Sequence, residues 1–237
     1  FFNSGPSMIE ALFAGELDLL YIGPSPAVNG FMRSKGEAVR IVAGVTNGGA
    51  ALVARKDSGW TRPEDLEGKR IATPGFGNTQ DISVRWFVRR KGLKTEEEGG
   101  TVHVMPMANP DMIDLMKSGQ IDGAWTVEPW VSRLVNETGA VRLLDEAGQW
   151  PDSSYATTVL VVAPRFARAH PALLARWQAA QEQVIAGMKA EPDSAMAVVN
   201  RALLEFNHKA LPDALLRGAW SHLSFDSALP RAAVEAG

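Results

Sequence analysis

The sequence contains no cysteine, and this absence removes several classes of site at once. Without thiols the chain has no disulfide bonds, no thiolate zinc site and no cysteine nucleophile. No apolar run reaches the roughly 18 residues that a transmembrane helix needs. The formal net charge is only −3, so the chain lacks the overall basic field that attracts nucleic acid. We therefore predict no nucleic-acid partner.

Motifs that carry chemistry are scarce as well. The GFGN stretch at 75–78 is not a phosphate-binding P-loop, because no Gly-Lys-Ser/Thr follows it, and the chain has no Gly-x-Ser-x-Gly nucleophile elbow. The histidines lack the spacing of metal ligands. They are His103, His170, His208 and His222. We predict no catalytic residue, no metal and no cofactor, and hence a protein that is not an enzyme.

An internal repeat is the most informative feature that is present. MIEALFAGELD at 8–18 returns as MIDLMKSGQID at 112–122, 104 residues later. In each copy an apolar periodic run ends at a glycine, Gly15 or Gly119, and a second apolar run follows. This pattern predicts a helix, a tight turn and a buried strand. One copy alone is typical of any α/β protein, but two copies with matching sequels indicate two similar lobes.

Strand-like and helix-like segments alternate along most of the chain, which predicts an α/β fold with two mostly parallel sheets and flanking helices. Ligands of such sheets lie at the carboxyl ends of the strands, where the next helices begin. Helix starts carry free N–H groups and a positive dipole end, which favour an oxyanion, although each cap alone could simply prevent fraying. The predicted starts are Ser4–Pro6, Ser25–Pro26 (Ser25 as N-cap), Asn78–Gln80, Asn109–Pro110 and Glu128–Pro129.

Four segments in order carry a family resemblance: IEALFAGELDLLYIGPSPAV, GGAALVARKDSG, EDLEGKRIATPGFGNTQD and IDGAWTVEPWVSRL. Together they resemble the substrate-binding proteins of bacterial ABC importers in the sulfonate, taurine and nitrate group. The resemblance implies a two-lobed type II periplasmic-binding fold with a ligand cleft between the lobes. It further implies a monomer in the periplasm that closes on a small anionic solute and delivers it to a membrane permease.

The resemblance also implies a division of the chain. Family members begin with a strand, a ligand-facing loop and a helix that would precede Phe1, so we expect lobe 1 to be N-terminally incomplete. We predict lobe 1 at 1–56 and 157–237, and lobe 2 at 57–156. Gly48 and Gly49 suit a hinge at the first crossing, although an ordinary glycine turn is the alternative.

Candidate ligand contacts follow from the predicted strand ends. In lobe 1 they are Ser25, Pro26, Thr46 and Asn47; in lobe 2 they are Gly77, Asn78, Thr79, Gln80, Glu128 and Trp130. Hydroxyl and amide groups there could donate to an anion. Glu128 could take a cationic part of the solute, or it could pair with Arg133 or cap its helix. Trp130 could form an apolar wall, or it could serve packing.

Two other function classes stay open at this point. One is an enzyme similar to the pyrimidine-precursor synthases of thiamin biosynthesis, which would need a histidine or lysine in the cleft. The other is the ligand-sensing domain of a regulator or kinase, which would carry an attached DNA-binding or signalling segment. The residues do not choose among a sulfonate, taurine, nitrate or a bulkier organic anion.

Overall fold

The structure, a computed structural model, describes Phe2 and residues 4–229, with the side chains of 206 and 207 excepted. The helices are α1 (Gly5–Ala14), α2 (Pro24–Arg33), α3 (Thr79–Arg90), α4 (Asn109–Lys117), α5 (Trp130–Thr138), α6 (Pro164–Ala169), α7 (Pro171–Ala190), α8 (Pro192–Asn207) and α9 (Asp213–Ser221). The strands are β1 (Leu19–Ile22), β2 (Arg40–Gly48), β3 (Ala50–Ala54), β4 (Arg70–Thr73), β5 (His103–Pro106), β6 (Gly123–Val127), β7 (Val141–Asp145), β8 (Ala156–Val162) and β9 (Leu223–Phe225). Within this described part, no helix has the length and apolar character needed to cross a membrane.

The chain divides into two compact units. Unit 1 is Phe1–Gly48 with Ser154–Gly237, and unit 2 is Gly49–Ser153. The first boundary between the units, after Gly48, comes earlier in the chain than the boundary after residue 56 that we predicted from the sequence. Strand β3 belongs to unit 2 because it pairs with β6 on one edge and with β7 on the other. Gly48 and Gly49 have φ of 75° and 76°, a backbone region that favours glycine. The hinge itself stays a prediction.

Each unit contains one sheet, and the strand pairings correct one detail of the prediction. Sheet A of unit 1 has the order β1-β8-β2-β9, and sheet B of unit 2 has the order β5-β4-β6-β3-β7. Among the pairings between these described strands, β4–β5 and β4–β6 are parallel and the others are antiparallel. The prediction of mostly parallel sheets was therefore wrong. The reason is that β3 and β8 each enter their sheet antiparallel to both neighbours.

The repeat folds as predicted, into helix, turn and strand in both units. Helix α1 and strand β1 form one copy, and α4 and β6 form the other. Ser4 caps α1 by accepting from the Ser7 N–H, and Gly15 ends the helix with φ of 82°. The prediction of Ser25 as an N-cap was wrong. Helix α2 begins at Pro24, two residues before Pro26, and Gly23 is its N-cap; proline is well tolerated at the first helical position.

Both faces of sheet B are covered by helices. On one face, α4 and α5 contribute Met112, Met116, Val131 and Leu134 to a core that also contains residues of β3, β4 and β6. On the other face, α3 contributes Val84, Phe87 and Val88. All five residues of β3 are buried, as expected for a strand that has no solvent-facing side.

The last residue of the repeat makes an ion pair in each unit. Asp18 lies 3.2 Å from Arg165 at an exposed site. Asp122 is less exposed and accepts from the Arg70 backbone N–H at 3.0 Å, from Arg70 Nε at 3.0 Å and from Arg70 Nη2 at 2.9 Å. These hydrogen bonds from Arg70 lower the pKa of Asp122 to about 2. The carboxylate therefore ties the start of β4 to the turn before β6.

We predict that Asp122→Asn lowers the free energy of unfolding by about 1–2 kcal/mol at pH 7. The folded-state pKa lies below that of the unfolded chain, so the contribution is complete above about pH 4 and is lost as the pH falls toward 2. Urea unfolding of both proteins across this range measures the difference, which should shrink toward acid. Asp18→Asn is the matched control, and its exposed pair should contribute less than about 1 kcal/mol. A difference that stays constant down to pH 2 would contradict the assignment.

Candidate functional site

The starts of three helices lie at one edge of sheet B. Strands β5, β4 and β6 are neighbours and run parallel, so their carboxyl ends share an edge. Helices α3, α4 and α5 begin directly after β4, β5 and β6 respectively. Each helix start presents N–H groups without intrahelical partners and the positive end of a helix dipole. This edge therefore has the arrangement that an anion favours.

The loop between β4 and α3 is held in shape by a buried carboxylate. Asp81, which is fully buried, accepts from the Gly77 N–H at 3.0 Å and from Thr73 Oγ1 at 3.2 Å. Arg85 Nε donates to the same carboxylate at 3.2 Å. Gly75 and Gly77 both have positive φ, so glycine is needed for this path of the backbone. Asp81 was not among the predicted site residues, although an acidic residue in the first turn of a helix is a recognised signal.

Thr79, the first residue of α3, has a buried hydroxyl that lacks a hydrogen-bond partner among the described residues. Leaving such a group unpaired costs about 1–3 kcal/mol, so its position calls for an explanation. The neighbouring Asn78 occupies the N-cap position, but its side chain makes no capping hydrogen bond to the helix. Its Nδ2 donates to the Pro74 carbonyl at 2.7 Å. Gln80 is buried beside Thr79. Gly77, Asn78, Thr79 and Gln80 thus lie together at the candidate edge.

Glu128 lies at the same edge with both carboxylate oxygens engaged. The side chain is fully buried; Oε1 accepts from Arg142 Nη2 at 2.5 Å and Oε2 accepts from the Ser132 N–H at 2.9 Å. Glu128 therefore caps the start of α5, which was one of the alternatives. Its arginine partner is Arg142, whereas Arg133 pairs with Glu137. Arg142 could not be predicted as the partner, because it lies in β7, on the far side of α5 in the sequence from Glu128.

Trp130 has contacts of its own within unit 2. It is partly buried, packs against the core beneath α4 and α5, and has the Arg133 guanidinium 4.6 Å from its ring centroid.

At the start of α4, Asn109 Oδ1 accepts from the buried Thr126 hydroxyl at 2.7 Å. This contact joins the carboxyl end of β6 to α4. The helix start at Asn109 was predicted from the sequence, whereas Thr126 was not.

The negative charges of the buried carboxylates at this edge are offset by arginines of the same unit. Two of the helix starts hold a buried carboxylate, Asp81 on α3 and Glu128 before α5, and each carboxylate has an arginine partner, Arg85 or Arg142. The ion pairs cancel the acidic charge that would otherwise repel an anion. Within the ranges that the structure describes, no group of three or more acidic or histidine side chains could hold a metal ion.

The candidate residues of unit 1 lie at one edge of sheet A. Strands β1 and β2 both run antiparallel to β8, so their carboxyl ends share an edge. Ser25 and Pro26 belong to the first turn of α2, directly after β1. Thr46 and Asn47 lie near the end of β2, and Asn47 Oδ1 is buried without a hydrogen-bond partner among the described residues.

We predict that Glu128→Gln lowers the free energy of unfolding by about 2 kcal/mol, because it weakens a buried ion pair and leaves Arg142 partly unpaired. The matched control is Glu137→Gln, which alters the more exposed pair with Arg133 and should cost about 0.5 kcal/mol. Urea unfolding followed by tryptophan fluorescence compares the two. Similar small losses in both variants, with weaker binding of an ammonium-bearing solute only in Glu128→Gln, would instead make Glu128 a ligand contact.

Comparisons with known proteins agree with this architecture. The E. coli K12 taurine-binding periplasmic protein is 31% identical over 170 residues, which are 72% of this chain and 50% of that protein. The alkanesulfonate-binding protein of Xanthomonas axonopodis pv. citri, solved with bound MOPS, superposes with a TM-score of 0.78 at 20% identity and covers 99% of this chain and 77% of that one. The aliphatic sulphonate-binding protein of E. coli gives 0.77 at 20% identity, covering 99% and 76%.

The chain thus has the type II periplasmic-binding fold of these structures, and it spans about half the length of the curated taurine-binding relative that it matches. A more distant structure, the nitrate-binding protein of Synechocystis PCC 6803, has a TM-score of 0.57 at 14% identity and covers 71% of this chain and 47% of that one. A family model matches residues 1–199, which is most of the sequence, and its description is the NMT1-like family. The chain belongs to the NMT1-like family.

Proposed function

We propose that the protein is the solute-binding component of an ABC importer and that it binds a small oxyanion at the carboxyl edge of sheet B. The observation that carries this proposal is the buried hydroxyl of Thr79 at the start of α3, which has no hydrogen-bond partner among the described residues. A hydroxyl at that position can donate to an anion seated on the helix start. The charge balance of the edge supports the same ligand class, because each buried carboxylate there is paired with an arginine.

The solute class that we propose is an aliphatic sulfonate, taurine or a nitrate-like anion. Relatives with this fold are named for taurine, alkanesulfonate and nitrate binding. These anions share a compact group of oxygen acceptors, which suits several N–H and O–H donors converging at helix starts. We further propose, from the same relatives, that the protein acts as a monomer in the periplasm and delivers its solute to a membrane permease.

The residues that we propose as ligand contacts fall into two groups. In unit 2 they are Gly77, Asn78, Thr79 and Gln80, which surround the start of α3. In unit 1 they are Ser25, Pro26, Thr46 and Asn47, at the shared edge of β1 and β2. We assign Glu128 and Trp130 to the support of α5, since both have partners there. Closure of the two lobes on the solute stays a prediction from the resemblance.

A binding protein without chemistry is favoured over an enzyme of the same fold. Such an enzyme would need a histidine or lysine in the cleft, and His103 does not lie at the candidate edge. It is the first residue of β5, so it lies at the amino end of that strand, away from the candidate edge. Its Nδ1 lies 2.7 Å from Glu96 Oε2, which gives it a local partner.

We expect taurine, an alkanesulfonate or nitrate to raise the melting temperature of the 237-residue protein. A ligand at 100 times its Kd should add about 2.7 kcal/mol to the free energy of unfolding. A thermal-shift series with methanesulfonate, taurine, nitrate and, as the charge-reversed control, choline would measure this effect. Stabilisation by choline alone would overturn the anion assignment.

We predict that Thr79→Val weakens binding of the stabilising anion by about 1–2 kcal/mol, the scale of one lost hydrogen bond to a charged group. The same substitution should leave the free energy of unfolding of the ligand-free protein unchanged or raise it, because it removes a buried unpaired hydroxyl at nearly constant volume. Thr79→Ser keeps the hydroxyl and is the matched control, with affinity close to the parent protein. Titration calorimetry and urea unfolding provide the two readouts. Unchanged affinity in Thr79→Val would remove Thr79 from the site.

A further inference from the structure

Phe76 is the one aromatic residue in the loop between β4 and α3, and it is 75% exposed. Among the residues that the structure describes, no large hydrophobic side chain is more exposed, and the hydrophobic cores found there do not include Phe76. A single exposed ring is ordinary on most of a protein surface. This ring, however, lies in the loop that carries Gly77, Asn78 and Thr79, which are proposed ligand contacts.

Hydrogen bonds on the C-terminal side of Phe76 fix the turn that carries it. The Asn78 N–H donates to the Gly75 carbonyl at 3.2 Å, so Phe76 and Gly77 are the central residues of a β-turn. Gly77 has φ of 73°, as the third position of a type II turn requires. Its N–H donates to Asp81 at 3.0 Å. The exposed ring is therefore carried on a backbone whose shape is set by hydrogen bonds and by glycine.

The Phe76 ring also has a cation beside it. The Arg85 guanidinium lies over the ring, 5.7 Å from its centroid. Arg85 is itself held by Asp81 and Glu97, with 3.2 Å between nitrogen and oxygen in each pair. A cation near the face of an aromatic ring is attracted by the ring quadrupole, so this contact orients the ring. Because the turn and the arginine already order Phe76, contact with a solute costs little further side-chain entropy.

We propose that Phe76 is a specificity-determining residue whose ring contacts the organic part of the solute. The proposal rests on the proposed function, since it requires the anionic group of that solute to bind at the start of α3. The ends of a β-turn lie within about 7 Å of each other, so a chain of a few carbon atoms attached to the anion can reach from the helix start to the ring. The site then favours an anion with an apolar chain over an inorganic anion.

The length of the solute's chain is the variable that isolates Phe76. Moving one methylene group from water into a fully apolar contact strengthens binding by about fourfold, and a one-sided contact strengthens it by less. Methanesulfonate has no chain that could reach the ring, so its affinity reports the contacts to the anionic group. The gain in affinity from methanesulfonate to hexanesulfonate reports the contact with Phe76.

Titration calorimetry with methanesulfonate, butanesulfonate and hexanesulfonate tests the proposal. In the parent protein, hexanesulfonate should bind about tenfold more tightly than methanesulfonate, or more. In Phe76→Ala this ratio should fall to about threefold or less, while the affinity for methanesulfonate stays within about twofold of the parent value.

Phe31→Ala is the matched control and should keep the full ratio. Phe31 is 46% exposed and has the Arg40 guanidinium 5.5 Å from its ring centroid, so it resembles Phe76 in exposure and in its cationic neighbour. It lies in the last turn of α2, whereas the candidate residues of that helix belong to its first turn.

The heat-capacity change of binding gives a second readout. Burial of apolar surface makes it negative, so hexanesulfonate should give a more negative value than methanesulfonate in the parent protein and a smaller difference in Phe76→Ala. A loss of affinity that is equal for all the sulfonates in Phe76→Ala would mean that Phe76 only maintains the turn, and it would overturn the proposal. An unchanged ratio in that variant would overturn it as well.

Failure of the proposed function gives a different result. If neither nitrate nor any of the sulfonates binds the parent protein, the anion site is refuted, and the role of Phe76 with it. If nitrate or methanesulfonate binds and the longer sulfonates bind no more tightly, the anion site stands and only the role of Phe76 is refuted. Thr79→Val, in contrast to Phe76→Ala, should weaken binding of every sulfonate and leave the ratio unchanged.

Discussion

A strand in the middle of an α/β sheet must bury both faces and pair both edges, and the architecture of each unit depends on this constraint. Strand β6 satisfies it fully, with β4 and β3 on its edges and helices on both faces. Strand β3 can be entirely apolar for the same reason. Because the carboxyl ends of β5, β4 and β6 must then lead into covering helices, three helix starts are brought to one edge without any requirement from function.

Some backbone N–H groups at the helix starts of unit 2 already donate to side chains of the same unit, so fewer of them remain to bind a ligand. Asp81 uses the Gly77 N–H and holds the loop before α3, while Glu128 uses the Ser132 N–H and holds the start of α5. Buried carboxylates at these positions would repel an anion if they stood alone. The arginines that pair with them make the structural contacts compatible with anion binding.

The sequence was sufficient for features that depend on neighbours along the chain. The repeat, the glycine that ends α1 and the helix start at Ser4–Pro6 all rest on local backbone chemistry, and the structure confirms them. Ser25 was misassigned as a cap because Pro24, Ser25 and Pro26 offer competing starts within three residues. The pairing of Glu128 with Arg142 and the antiparallel entry of β3 and β8 depend on contacts between distant segments, which periodicity and capping rules do not encode.

Thr79 and Glu128 occupy comparable places at helix starts, yet their hydrogen bonding indicates opposite roles. Glu128 has partners for both oxygens and so lowers the free energy of the fold as it stands. Thr79 has a buried hydroxyl without a partner among the described residues, so it raises the free energy of the ligand-free fold. A group that costs stability in the free protein and can donate to a bound anion strengthens binding by the hydrogen bond that it gains. For this reason the hydroxyl of Thr79 is a better indicator of the binding edge than the more conspicuous charge of Glu128.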